Sequence, residues 1–144
     1  MPDENLTRAE AAERSQLVSQ VRYEVALDLT AGPQTFTSVT RVTFDAAEGA
    51  STWLDLIAPN VRRVELNGMD LDVAKVVADC RIELSDLAAS NTVVVAADCA
   101  YMSTGEGLHR FVDPEDDAVY TYTQFEVADC RRVFAVFEQP DLKA

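Results

Sequence analysis

The feature that most constrains this chain is a run of short segments in which apolar residues recur at every second position. Tyr23, Val25, Leu27 and Leu29 alternate with Glu24, Ala26, Asp28 and Thr30. A period of two puts alternate side chains on opposite faces of an extended chain, so this stretch is read as a half-buried strand. Further strands are expected over 36–44, 52–57, 61–66, 70–77, 81–84 and 92–101, each closed by turn chemistry. Gly32-Pro33 and Pro59-Asn60 break the chain, and Asn67-Gly68 is the strongest short hairpin signal available to L-residues. The strands recur at roughly 8–12-residue intervals, the pattern of an all-β sandwich or curved sheet. The connections are too short for helical crossovers, which argues for antiparallel pairing.

Before the first strand the texture is helical. Thr7-Arg8-Ala9-Glu10 fits a capping box, in which the threonine hydroxyl and the Glu10 carboxylate satisfy each other's backbone amides. A helix is expected over 7–17, preceded by a frayed tail over 1–5. After Tyr101 the texture changes again. Residues 102–111 read as a Gly-punctuated loop, 113–117 as an acidic turn, Val119 to Phe125 as a strand, and 129–133 as a short helical turn. The final residues, Pro140-Asp141-Leu142-Lys143-Ala144, look like the start of a further element.

Composition excludes several functions. The chain has 144 residues, enough for one domain with a core, and no apolar run approaches the ~20 residues that span a bilayer. The N-terminus lacks the basic and apolar regions of a signal peptide, so a cytoplasmic location is expected. A net charge of −13 argues against nucleic acid and anionic membrane and leaves a cationic ligand or an amine as the better fit. The three cysteines, Cys80, Cys99 and Cys130, are scattered and odd in number, as free thiols would be. With a single histidine, His109, a self-contained metal site or a Ser–His triad is not expected.

Few residues carry chemistry on their own. The acidic turn offers hard oxygens for calcium but lacks the glycine and distal glutamate of an EF-hand loop, so it reads as a solvated turn. His109 beside Arg110 has no visible nucleophile partner and reads as structural. Asp129, Arg131, Arg132, Glu138 and Asp141 read as pairing and capping residues. Gln124 and Glu126 are two apart on one expected strand face, with Phe125 and Val127 on the other. A carboxylate and an amide displayed together suit a ligand amine, and equally suit an exposed face in water.

One stretch carries a family resemblance. Gly105-Glu-Gly-Leu-His109-Arg-Phe-Val-Asp113-Pro, then Tyr122-Thr-Gln124-Phe-Glu126-Val-Ala-Asp129-Cys-Arg131-Arg132-Val-Phe134 and Phe137-Glu-Gln-Pro140-Asp141-Leu-Lys-Ala, resembles the aminopeptidase N family of zinc-dependent gluzincin peptidases. The head, from Asn5 to Thr30, is similar to the start of its actinobacterial members, so the resemblance spans nearly the whole chain. It implies a mainly β fold, a curved saddle-like antiparallel sheet assembly or β-sandwich with a short N-terminal helix. It implies that 1–144 is one N-terminal β domain of a larger peptidase: a helical lead-in over 1–20, a sheet core over 21–101, and over 102–144 a loop, a substrate-binding strand and the passage to the catalytic domain. It further implies that Glu126 anchors the α-ammonium of a peptide substrate while Gln124 lines the first subsites. The partners would be the peptide N-terminus and the catalytic domain of the same protein.

The departures from the family are as telling. The sequence has no G-A-M-E-N and no H-E-x-x-H, and a zinc site of that kind takes two histidines and a glutamate. Zinc is therefore expected in the full-length enzyme and not in this fragment, which should hold no catalytic residue and no metal ligand and should be inactive alone. Two rivals remain: a self-contained non-enzymatic β-sandwich binding module, and a small hydrolase built on His109 with an aspartate or cysteine.

Overall fold

The computed structural model describes residues 5–126 and 128–144. The frayed tail expected over 1–5 falls mostly outside them. The helix forms as the capping box predicts: α1 (Arg8–Leu17) has Thr7 as N-cap, with Glu10 N–H donating to the threonine hydroxyl and Thr7 N–H to the Glu10 carboxylate.

Ten strands lie among the described residues. The larger sheet is built from β1 (Val18–Asp28), β2 (Thr35–Ala46), β4 (Asn60–Leu66), β5 (Met69–Leu71) and β8 (Ser90–Ala100), in the order β1-β2-β8-β4-β5. A smaller sheet has the order β3-β7-β6, from β3 (Thr52–Asp55), β6 (Val77–Ala78) and β7 (Arg81–Leu84). A separate hairpin pairs β9 (Gly107–Val112) with β10 (Val119–Gln124). Every strand pair among the described residues is antiparallel, with one isolated parallel bridge between Met102 and His109. The fold is thus mainly β with antiparallel sheets and a short N-terminal helix, as expected. Asn67-Gly68 makes the β4–β5 turn, with φ of 50° and 84°, the left-handed pair that a two-residue hairpin demands.

The core lies where the two sheets face each other. Phe36, Val42, Phe44, Val93 and Val95 from the larger sheet join Leu54, Ile82 and Leu84 from the smaller one. The last part of the chain completes it: Val133, Ala135, Phe137 and Leu142 belong to the same cluster, and the Phe137 ring meets Phe44 edge-on at 5.2 Å. Fully burying such side chains contributes about 1.5–3 kcal/mol each.

Four expectations need correction. The stretch 70–77 is not one strand. After β5, Asp72 caps a single helical turn, α2 (Val73–Val76), by accepting from Ala74 N–H, and β6 follows. Half of the expected loop 102–111 is strand, because Leu108 to Phe111 pairs along β10. That expected strand in turn ends at Gln124, one residue early. Finally, the apolar face of β1 is only partly covered. Val25 and Leu27 lie opposite buried Thr40 and Ser38 in register, yet they are 41% and 38% exposed, because β1 is an edge strand.

Candidate functional site

The β9–β10 hairpin carries the residues singled out by sequence. Every residue of β10 is exposed, which leaves its polar side chains available and its aromatics, Tyr120 and Tyr122, half in water. The hairpin is seated by Gly107. Its φ of +63° is left-handed, and a Cβ there would stand 2.9 Å from Arg132 Cβ, so only glycine fits against the 3-10 turn Cys130–Arg132. Arg132 reaches Glu106 at 3.3 Å and Asp129 at 3.6 Å, tying the loop before the hairpin to the turn after it.

His109 is part of this scaffold. Its Nδ1 accepts from Gly105 N–H at 3.0 Å, and its ring stacks on Tyr122 at 4.7 Å, opposite it in register. Gln124 Oε1 lies on the same side of the hairpin, 3.8 Å from where a Cβ on Gly105 would sit. The acidic turn is stitched by its own backbone: Asp113 accepts from Glu115 N–H and Asp116 from Ala118 N–H, both at 2.9 Å. Among the described residues no group of three or more histidine, cysteine or acidic side chains is placed to hold a metal ion.

Past the strand end the chain turns into a cleft of about 270 Å³. Glu126 and Phe125 line it together with Tyr23, Cys130, Glu138 and Lys143. β10 ends at Gln124, so Glu126 lies just past the strand end. Glu126 is exposed. Phe125 turns towards the apolar side, edge-on to Phe134 at 6.2 Å, though 41% of it stays exposed. The orientation expected of Val127 lies outside the described residues.

The floor of the cleft is hydrogen-bonded and largely buried. Tyr23 Oη accepts from Phe137 N–H at 3.0 Å, and burial pushes its phenol up to about 12. Burial also raises the Cys130 thiol to about 11, so it is a neutral wall group and not a nucleophile at neutral pH. Burial raises the Glu138 carboxyl as well, against the pull of two backbone amides, Arg131 and Ala128. An exposed carboxylate beside a half-buried one makes an acidic mouth, suited to hydrogen bonding an ammonium group. Cys99 and Cys130 form no disulfide.

Beneath the cleft lies a cluster that sequence reasoning missed. Arg14, on α1, is fully buried. It pairs with Asp55 at 2.8 Å, donates to Gln139 Oε1 at 2.9 Å, and stacks over Trp53 at 4.6 Å. Arg81 stacks on the same indole at 4.6 Å and grips Glu10 with two hydrogen bonds of 2.7 and 3.0 Å. That grip, with the Thr7 amide, holds the Glu10 carboxyl down at about 2. The Asp55 oxygen that faces Arg14 also accepts from Glu138 N–H at 3.0 Å. Ser15 donates to Asp141, fastening the helix to the end of the chain. A larger cavity of about 360 Å³ opens beside Trp53 and Arg81 but holds none of the residues singled out by sequence.

Compared with known proteins, the chain is 57% identical, over its whole length, to the N-terminal part of an aminopeptidase N from Streptomyces lividans. The chain is homologous to that part of aminopeptidase N. It spans 17% of that relative's length. No family model matches the chain. Among solved structures, Legionella pneumophila aminopeptidase A, crystallised with aspartic acid, superposes with a TM-score of 0.67 at 15% identity, covering 83% of this chain and 14% of that one. At that identity the likeness shows a shared fold. Among the described residues no helix is long and apolar enough to cross a membrane.

Proposed function

We propose that this chain is the β domain that supplies the amine anchor of a cytoplasmic zinc aminopeptidase, an enzyme that removes N-terminal residues from peptides. The observation that carries this reading is Glu126, an exposed carboxylate on the rim of a cleft just beyond the end of β10. The whole-length homology to the N-terminal part of an aminopeptidase N supports it.

Glu126 accepts hydrogen bonds from the substrate α-ammonium. A fixed carboxylate at that point measures one residue from the chain end, which makes the enzyme an exopeptidase. Gln124, an amide with both donor and acceptor, borders the first subsites. The exposed apolar residues Val25, Leu27, Tyr122 and Phe125 form the footprint of the remainder of the longer protein, where catalysis takes place.

The family implies zinc in the full-length enzyme. This chain does not fit that metal: its one histidine has Nδ1 committed to Gly105, and its described acidic and thiol groups do not converge. On this reading its part is to bind and orient the substrate. The test is Glu126→Ala in the full-length enzyme with an aminoacyl anilide. Losing a charge-assisted hydrogen bond of about 1.5–3 kcal/mol should lower kcat/KM by about tenfold to a hundredfold. An unchanged kcat/KM would sink the assignment.

A further inference from the structure

We infer that Glu138 is a positioning residue for the amine anchor, fixing the turn that leaves Glu126 and so setting where that carboxylate stands. The inference rests on the reading of Glu126 given above.

The turn needs holding. Its hydrogen bond runs from Asp129 N–H to the Glu126 carbonyl at 3.0 Å. Inside it Ala128 has φ of +78°, in the left-handed region that residues with a Cβ seldom adopt. Such a residue persists only where its surroundings over-determine it. Two side chains do so here. Arg131 Nε donates to the Ala128 carbonyl at 2.9 Å. The Glu138 carboxylate accepts from the Arg131 N–H at 2.9 Å. Glu138 thus holds the arginine that clamps the strained residue.

Glu138 is itself fixed from below. Its own N–H donates to the Asp55 oxygen that pairs with buried Arg14. A line of contacts therefore runs from the helix cluster through Asp55 and Glu138 to the turn after Glu126. Glu138 and Glu126 line the same cleft, so a shift of one changes the space offered to the other's ligand.

The experiment measures KM and kcat separately for an aminoacyl anilide in the full-length enzyme, with Glu138→Ala, Glu138→Gln and Glu126→Gln side by side. Glu138→Ala should raise KM about tenfold, the scale on which displaced positioning groups act, with kcat within about threefold. Glu138→Gln, which keeps one acceptor and the side-chain shape, should restore part of the loss and serves if the alanine variant does not fold. Adding Ala128→Gly to Glu138→Ala should also recover part of it, because glycine adopts φ near +78° without strain. A merely structural role would lower the amount of active enzyme, reducing apparent kcat at constant KM with no rescue by Ala128→Gly. That pattern overturns the inference. If Glu126→Gln raises KM and both Glu138 variants leave it unchanged, the inference fails and the anchor stands. If none of the variants lowers kcat/KM, the anchor reading fails with it.

Discussion

Two regions of this domain use charged residues in opposite ways. Around α1 and β3, Arg14, Asp55, Arg81 and Gln139 are buried; Arg14 bonds Asp55 and Gln139, Arg81 bonds Glu10, and both arginines stack on Trp53. Along β10 and the turn after it, Gln124 and Glu126 stand in water with no hydrogen bond from another side chain among the described residues. Desolvated charges must find partners within the fold, so the first region is committed to itself. Solvated ones keep their hydrogen-bonding capacity for a ligand. The contrast teaches which polar residues hold the domain together and which are left for binding. Glu138 joins the two, with its amide on the buried aspartate and its carboxylate on the turn beside the anchor.

The comparison breaks most readily at Arg14. Arg14→Ala strands the Asp55 carboxylate in the interior and should cost about 3–5 kcal/mol, read as a lower urea midpoint. Gly107→Ala should come next. It places a Cβ against Arg132 in a left-handed backbone and should cost about 1–3 kcal/mol, with the loss confined to the hairpin and its turn in hydrogen exchange. The smallest effect is pH-dependent. The Glu10 carboxyl falls from 4.5 to about 2 on folding, so its contribution is complete above pH 4.5 and lost as the pH drops towards 2. Thermal unfolding should show Glu10→Gln less stable than the parent at pH 6, with the gap closing by about pH 2.

The sheets were legible in the sequence because burial on one face writes a period of two into the residues. Val42 and Phe44 share one face in that way, the apolar run Thr92 to Ala97 marks its strand by β-propensity, and the Thr7–Glu10 box and Asn67-Gly68 turn are local enough to read directly. Where only part of a strand packs the signal fades. Leu108-His109-Arg110-Phe111 alternates poorly because only the start of β9 is buried and its end is exposed, so β9 read as loop. The valines of 73–77 favour a strand, but Asp72 caps a helical turn there instead. Arg14 could not be found at all, since its partners lie 41 and 125 residues away and an arginine on a short helix is ordinarily solvated. For the candidate site, the residues Gln124 and Glu126 were visible as a polar pair. What the spacing did not show is that β10 ends at Gln124, so Glu126 stands beyond the strand end.

The central claim is that Glu126 reads the free amine of the substrate. The most direct measurement is the ratio of kcat/KM for an aminoacyl anilide to that for the matching des-amino acyl anilide, in the full-length enzyme and in Glu126→Ala. The account predicts that the parent prefers the free amine by about tenfold or more and that the substitution collapses the preference towards one, mainly through the amino substrate. A preference that survives Glu126→Ala unchanged would contradict it.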